Sequence, residues 1–365
     1  MNIKFILKTI LKKFLPKKIK KKFILIESDG KYDNGWVFYS YIKNKRFKTI
    51  FFESGKKTIL NKLKYFYVRW NINRFEYIFC TYFCYSSIHN NVYFFNHGNA
   101  FKKVATYINC IDANNPIWIY PTINSVNKIS QITKNKKISY YLALAPRLDF
   151  LKRKINFKLL DIDKREKKII GVLTTFRRIG DTDSVNFNDI YPFVNDYIKL
   201  NDLAKAINIH IVFKLHHVFD NIKDFNCMKY SNISFIKNKE MVKNGIDTTE
   251  FIGSCDALVS DYSSVFIDYL LLNRPILFFV GDMEKFKNND NDGFLYDNPI
   301  NYMPGDKFVN QKQFESLLKN LFVKDLWSSK RKELSKFFNG VDNLKNINCC
   351  EKIYKEIILQ NEKAK

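Results

Sequence analysis

Short apolar runs alternate with longer polar stretches through the first half of the chain. The runs FILIE (23–27), KTIFFE (48–53), EYIFCTYF (76–83) and NVYFFNHG (91–98) are each bounded by turn-forming residues. That alternation predicts parallel strands joined by helical crossovers. A second series follows the charged stretch DIDKREKK (161–168): IIGVLTT, IHIVFKL, NISFI, DALVSD and RPILFF, spaced by helical lengths. Two such series predict an α/β protein of two Rossmann-like doubly wound domains, residues 23–160 and 161–330, with the linker near 152–168. After about residue 311, QKQFESLLKNLF and a Lys-rich end predict helices, with 331–365 as a helical tail.

Residues 1–22 follow a different rule. Ile3, Ile6, Leu7, Ile10, Leu11 and Phe14 fall on one helical face, while Lys4, Lys8, Lys12 and Lys13 and the lysines up to Lys22 supply charge. A basic amphipathic helix of this kind lies in an anionic membrane interface or packs on the protein's own core. No run of 18 apolar residues is present and no small-residue cleavage site follows, so neither a spanning helix nor a secretion signal is expected. The expected location is peripheral, on the cytoplasmic face of the membrane.

Composition narrows the class. Of 365 residues, 46% are hydrophobic and 16% aromatic, which excludes an intrinsically disordered chain. Sixty-one Lys+Arg against 36 Asp+Glu give a net charge of +25, which implies an acidic partner: nucleic acid, an anionic membrane or a phosphate-rich substrate. The richness in Lys, Asn and Ile also fits a base-composition bias, so charge alone does not choose among these. Seven cysteines without a CxxC pair point to a reducing compartment.

Open α/β sheets bind ligands at the carboxyl ends of their strands, so polar residues just after each run are the candidates. After NVYFFN come His97 and Gly98, then Lys102 and Lys103; the glycine permits close backbone approach. Thr174, Thr175, Arg177 and Arg178 follow IIGVL, where hydroxyls and guanidiniums could hold a phosphate or simply form a basic loop. His216 and His217 follow IHIVFK; adjacent strand side chains point to opposite faces, so one of the pair should face the ligand. Asp261, Tyr262, Ser263 and Ser264 follow DALVS and lead into VFIDYLLL, offering hydroxyls and free backbone N–H groups at a helix start. Together these fit a diphosphate held between the two halves. The triplets 161–163, 181–183 and 290–292 read as polar loops, and neither a metal site nor a cofactor is expected.

The ordered pieces SDGKYDN (28–34), NHGNAFKK (96–103), APRLDFL (145–151), LTTFR (173–177), KLHH (214–217) and DTTEFIGSCDALVSDYSSVFIDYLLLNRPILFF (247–279), with the later Gly293-Phe294 and Pro304-Gly305, resemble the CDP-glycerol glycerophosphotransferase family of teichoic-acid and capsule synthesis. The resemblance runs from about residue 23 to 330. It implies two Rossmann-like domains facing across a cleft, the GT-B arrangement. It implies transfer of glycerol phosphate or a related polyol phosphate from a CDP-activated donor to a hydroxyl of a glycan or lipid-linked acceptor, with release of CMP. His97 then becomes the general base, aided by Gly98 and Lys102 as acceptor or phosphate contacts; His216 becomes catalytic, and Thr175, Arg177, Asp261, Ser263 and Ser264 bind the donor.

Three features depart from the family pattern: His217 stands where a proline usually follows the second histidine, Thr174-Thr175-Phe176-Arg177 replaces a Pro-Thr-Trp-Arg type turn, and Asn96 stands where an aromatic commonly precedes the first His-Gly. A transferase of the same fold using a nucleotide sugar is the alternative activity. A nucleic-acid partner is not expected, since no nucleic-acid-binding motif accompanies the charge. With room for little more than a short helix ahead of the first domain, transfer of a single unit is expected over polymerisation.

Overall fold

In the computed structural model, the described residues are 23–28, 30–54, 66–68, 70–81, 91–96, 101–103, 117–132, 139–164, 166–175, 177, 190–220, 230–287, 293–345 and 347–360. The basic helix expected over 1–22 lies outside them. The chain divides into two compact units, one of residues 1–97, 105–149 and 347–365, the other of 98–104 and 150–346. The units therefore part at Asp149 and Phe150, just before the stretch read as the linker. Two short segments, 98–104 and the C-terminal end, each belong to the unit opposite their sequence neighbours.

The first unit is built on a six-stranded parallel sheet in the order β2-β1-β3-β4-β5-β6. The strands are β1 Phe23–Ser28, β2 Lys48–Glu53, β3 Phe75–Cys80, β4 Val92–Phe95, β5 Ile117–Tyr120 and β6 Tyr140–Leu142. β1 and β4 are buried along their whole length, as parallel strands covered on both faces must be. Helix α1 (Asn34–Ile42) starts at Asp33, whose carboxylate accepts from the Trp36 N–H. Gly35 lets the helix approach β1: a Cβ there would lie 2.5 Å from the Glu27 carbonyl oxygen.

The second sheet is also six-stranded and parallel, ordered β12-β11-β10-β7-β8-β9. Its strands are β7 Lys168–Val172, β8 Ile209–Lys214, β9 Ile233–Ile236, β10 Ala257–Ser260, β11 Ile276–Phe279 and β12 Asp306–Phe308. This is the doubly wound arrangement in which the strand order reverses between β7 and β10. Helix α2 (Tyr197–Ala206) closes one side of a core of Ile170, Val172, Phe193, Phe213, Val259 and Phe279. Ser264 leads into the short helix α3 (Val265–Tyr269), continued by a 3-10 turn to Leu272 and stopped by Asn273 in the left-handed conformation. The expected α/β class with two doubly wound sheets is what the chain adopts, each apolar run of both series forming one strand.

The C-terminal end returns to the first unit. Helix α4 (Cys349–Ile353) presents its first backbone N–H groups to Asp149, with Cys349 N and Cys350 N donating to the two carboxylate oxygens at 2.7 and 3.0 Å. Ile353, Ile357 and Ile358 are buried behind it. The free cysteines among the described residues, Cys80, Cys255, Cys349 and Cys350, are all buried, where cysteine serves as a small hydrophobe.

Candidate functional site

Three neighbouring strand ends of the second sheet, those of β7, β10 and β11, carry one connected polar cluster. The carboxylate of Asp261, just past β10, is fully buried. Its Oδ1 accepts from Thr175 N at 2.8 Å, Thr175 Oγ1 at 2.9 Å and Ser263 N at 3.0 Å. Its Oδ2 lies 2.9 Å from Nη1 of Arg177. Arg177 in turn forks onto Asp282, past the end of β11, through Nε at 2.6 Å and Nη2 at 3.2 Å, and donates from Nη1 to the Thr175 carbonyl at 3.1 Å. Tyr262 donates its hydroxyl to Asp282 at 2.9 Å.

The charges hold one another in place. Burial opposes the Arg177 charge, but Asp261 and Asp282 outweigh it and raise its pKa further above the ordinary range. Burial likewise opposes the Asp282 charge, and the Arg177 fork with the Tyr262 bond overcomes it, lowering that carboxyl. Tyr262 is held protonated by burial and by Asp282 beneath it.

Lys102 reaches this cluster from a distant part of the sequence. Phe101–Lys103 pairs antiparallel with the segment at Phe294: Lys103 N donates to the Gly293 carbonyl at 2.7 Å and Leu295 N to the Phe101 carbonyl at 3.1 Å. Phe101 is buried among Phe266, Phe294 and Tyr296. The Lys102 ammonium then lies 3.3 Å from Thr175 Oγ1.

His216 sits past the end of β8, partly buried, where its Nδ1 accepts from Val218 N at 3.4 Å. Burial, then the neighbouring His217, Lys214 and Lys102, push its pKa down to about 4. The ring is therefore neutral near pH 7, and with Nδ1 accepting it carries its proton on Nε2 as a hydrogen-bond donor. His217 is exposed. Lys214, whose ammonium donates to the Leu215 carbonyl at 3.2 Å, is pushed by burial down to about 8.

Of the residues singled out from sequence, Lys102, Thr175, Arg177, His216, Asp261, Ser263 and Ser264 all belong to this one unit. Ser263 and Ser264 are partly exposed, and Ser264 makes no side-chain capping bond. The Ser263 N–H is committed to Asp261 rather than open to a ligand. His97 and Gly98 lie outside the described residues. Asp282 was not read from the sequence, and Tyr262 and Lys214 were named there only within motifs, without a role. A signal existed for Asp282: it is a polar residue just after the run RPILFF, the position inspected at the other strands. Among the described residues no cluster of His, Cys, Asp and Glu is arranged to hold a metal ion.

The profile of CDP-Glycerol:Poly(glycerophosphate) glycerophosphotransferases matches residues 16–359. The chain belongs to that family. Among characterised proteins, this glycerophosphotransferase-family chain is 49% identical to the teichoic acid poly(glycerol phosphate) polymerase of Bacillus spizizenii over 51 residues, 14% of this chain and 13% of that protein. It is 35% identical to the polymerase of the same name from Staphylococcus epidermidis over 103 residues, 28% of this chain and 14% of that one. The matched segments thus span a small part of those polymerases. A solved structure of the wall teichoic acid polymerase TagF superposes with a TM-score of 0.66 at 20% identity, covering 95% of this chain and 90% of that one, a likeness of fold. Among the described residues, no helix of this family member is long and apolar enough to cross a membrane.

Proposed function

We propose that this chain transfers glycerol phosphate, or a related polyol phosphate, from a CDP-activated donor to a hydroxyl of a cell-surface glycan or lipid-linked acceptor, releasing CMP. The observation that carries this reading is the convergence of Lys102, Thr175, Arg177, His216 and Asp261 on adjacent strand ends beside the β7/β10 reversal, where doubly wound sheets take nucleotides and phosphates. Family membership supports the donor class, and one TagF structure was obtained after a soak with CDPG.

The acceptor hydroxyl attacks the polyol-bearing phosphorus, the P–O bond to CMP breaks, and the hydroxyl proton passes to His97 as general base. In such transfers catalysis is mostly positioning and stabilisation of charge. The His216 Nε2–H and the Lys102 ammonium stabilise the diphosphate oxygens as CMP leaves. Arg177 acts differently from a bare phosphate clamp, because its fork is occupied by Asp282. It fixes Asp261, which fixes Thr175 and the Ser263 backbone, so that the Thr175, Ser263 and Ser264 hydroxyls are presented in one geometry. Residues 1–22 hold the protein on the anionic cytoplasmic face of the membrane, where a lipid-linked acceptor resides.

The test is CMP release from CDP-glycerol, CDP-ribitol and UDP- and GDP-sugars by the purified protein, with His97→Ala and His216→Ala alongside. Turnover of a CDP-polyol that either substitution abolishes supports the proposal. Turnover of nucleotide sugars alone overturns it.

A further inference from the structure

The first unit holds a cavity of about 540 Å³ along the edge strand β2 and the start of β1, at the opposite end of β1 from Glu27 and Ser28. Sequence builds its two surfaces at once. The connection KNKRFK (43–48) between α1 and β2 places Lys43, Lys45, Arg46 and Lys48 on the exposed rim, and among the described residues no acidic one lines the cavity. The same connection and strand turn Phe47 and Phe52 inward, and with Val68 these buried side chains form an apolar wall.

A cationic rim over an apolar wall matches a molecule that is anionic at one end and apolar at the other. An inorganic anion would use the rim and waste the wall; an apolar ligand would use the wall and waste the rim. A second observation points the same way. The helical stretch that supplies Tyr67 and Val68 to the cavity exposes Phe66 at 64% and Trp70 at 82%, four residues apart and so on one side of the helix. Aromatic side chains presented in this way settle at the headgroup level of a bilayer.

We propose that this cavity binds the head of an anionic lipid, its phosphate on the lysine rim and its glycerol and first methylenes against Phe47, Phe52 and Val68. The site is separate from the strand-end cluster and stands whether or not the chain is a transferase.

The test is calorimetric titration of the full chain with monomeric dihexanoyl phosphatidylglycerol, dihexanoyl phosphatidylcholine and sn-glycerol 3-phosphate. The phosphatidylglycerol is expected to bind at least roughly tenfold more tightly than either comparator. The pair Lys45→Glu/Lys48→Glu should weaken it by roughly tenfold or more, and Lys312→Glu/Lys319→Glu on the other unit should leave it unchanged. Equal binding of the choline lipid overturns the charge requirement, and equal binding of glycerol phosphate overturns the lipid requirement. Lipid binding that survives Lys45→Glu/Lys48→Glu, or no binding at all, overturns the site.

Discussion

Both sheets bury a carboxylate where their strand order reverses, yet the two are satisfied in opposite ways. In the first unit Glu27, near the end of β1, accepts from the backbone of Thr81 past β3 at 2.9 Å. Around it, Asp33 accepts from Ser28 Oγ at 2.5 Å and Thr81 Oγ1 at 2.7 Å, and Asn34 donates to the Asn96 carbonyl at 2.7 Å while accepting from Arg147 N at 3.1 Å. In the second unit Asp261 and Asp282 face the Arg177 guanidinium directly. These bonds of the first cluster, among the described residues, come from neutral donors and tie β1, β3, α1 and the residue before His97 together. The second is an ion network, in which the Arg177 guanidinium is held by two carboxylates.

The largest test of this contrast is Arg177→Ala. It strips the cation from two carboxylates, one wholly buried, and should cost on the order of 3–5 kcal/mol in urea unfolding. Thr81→Val in the first unit removes one neutral donor and should cost about 1 kcal/mol. Equal losses would erase the distinction between the clusters.

Next comes His216→Ala, which should lower kcat by roughly 10²–10³-fold while leaving the melting temperature nearly unchanged. A fall in stability with kcat intact would make the ring a structural group.

Acid should weaken the second unit selectively. His210, in β8 with Nε2 2.8 Å from Ser234 Oγ, is pushed by burial and then by Lys167 down to about 4, as His216 is by burial and its cationic neighbours. Between pH 6.5 and 4 the unfolded chain binds protons that these folded rings refuse. Stability is therefore present above pH 6.5 and lost as pH falls toward 4, by up to roughly 3 kcal/mol per ring. His210→Gln should flatten that slope, and a pH profile indifferent to it would place the acid-sensitive groups elsewhere.

Asn34→Ala should cost about 1–3 kcal/mol of stability from two lost buried bonds. A loss of turnover much larger than this stability change would move the first cluster from scaffold into chemistry, through Asn96 and its neighbour His97.

The strands and most of the candidate residues were legible because their signals are local. An apolar run between turns is a strand wherever it packs, and a polar residue at its end lies at the sheet's carboxyl edge. β5, β6 and β12 were not read; β6 and β12 are runs of only three residues, too short to carry a pattern. The ordered motifs added what spacing could not, a family and with it a donor class.

What sequence could not supply was pairing at long range. Arg177 and Asp282 stand 105 residues apart and Thr175 and Asp261 86 apart; their meeting depends on β7 lying beside β10 and β10 beside β11, a matter of sheet order. Lys102 likewise reads as part of the first domain, and only the antiparallel bridge to Phe294 brings it to Thr175. Sequence by itself determined the strands, the charge and the family, because residue type and short spacing encode them. Tertiary structure alone decided that Arg177 would be bound by two carboxylates rather than left open to a phosphate, because burial and neighbours set what a charged group can still hold.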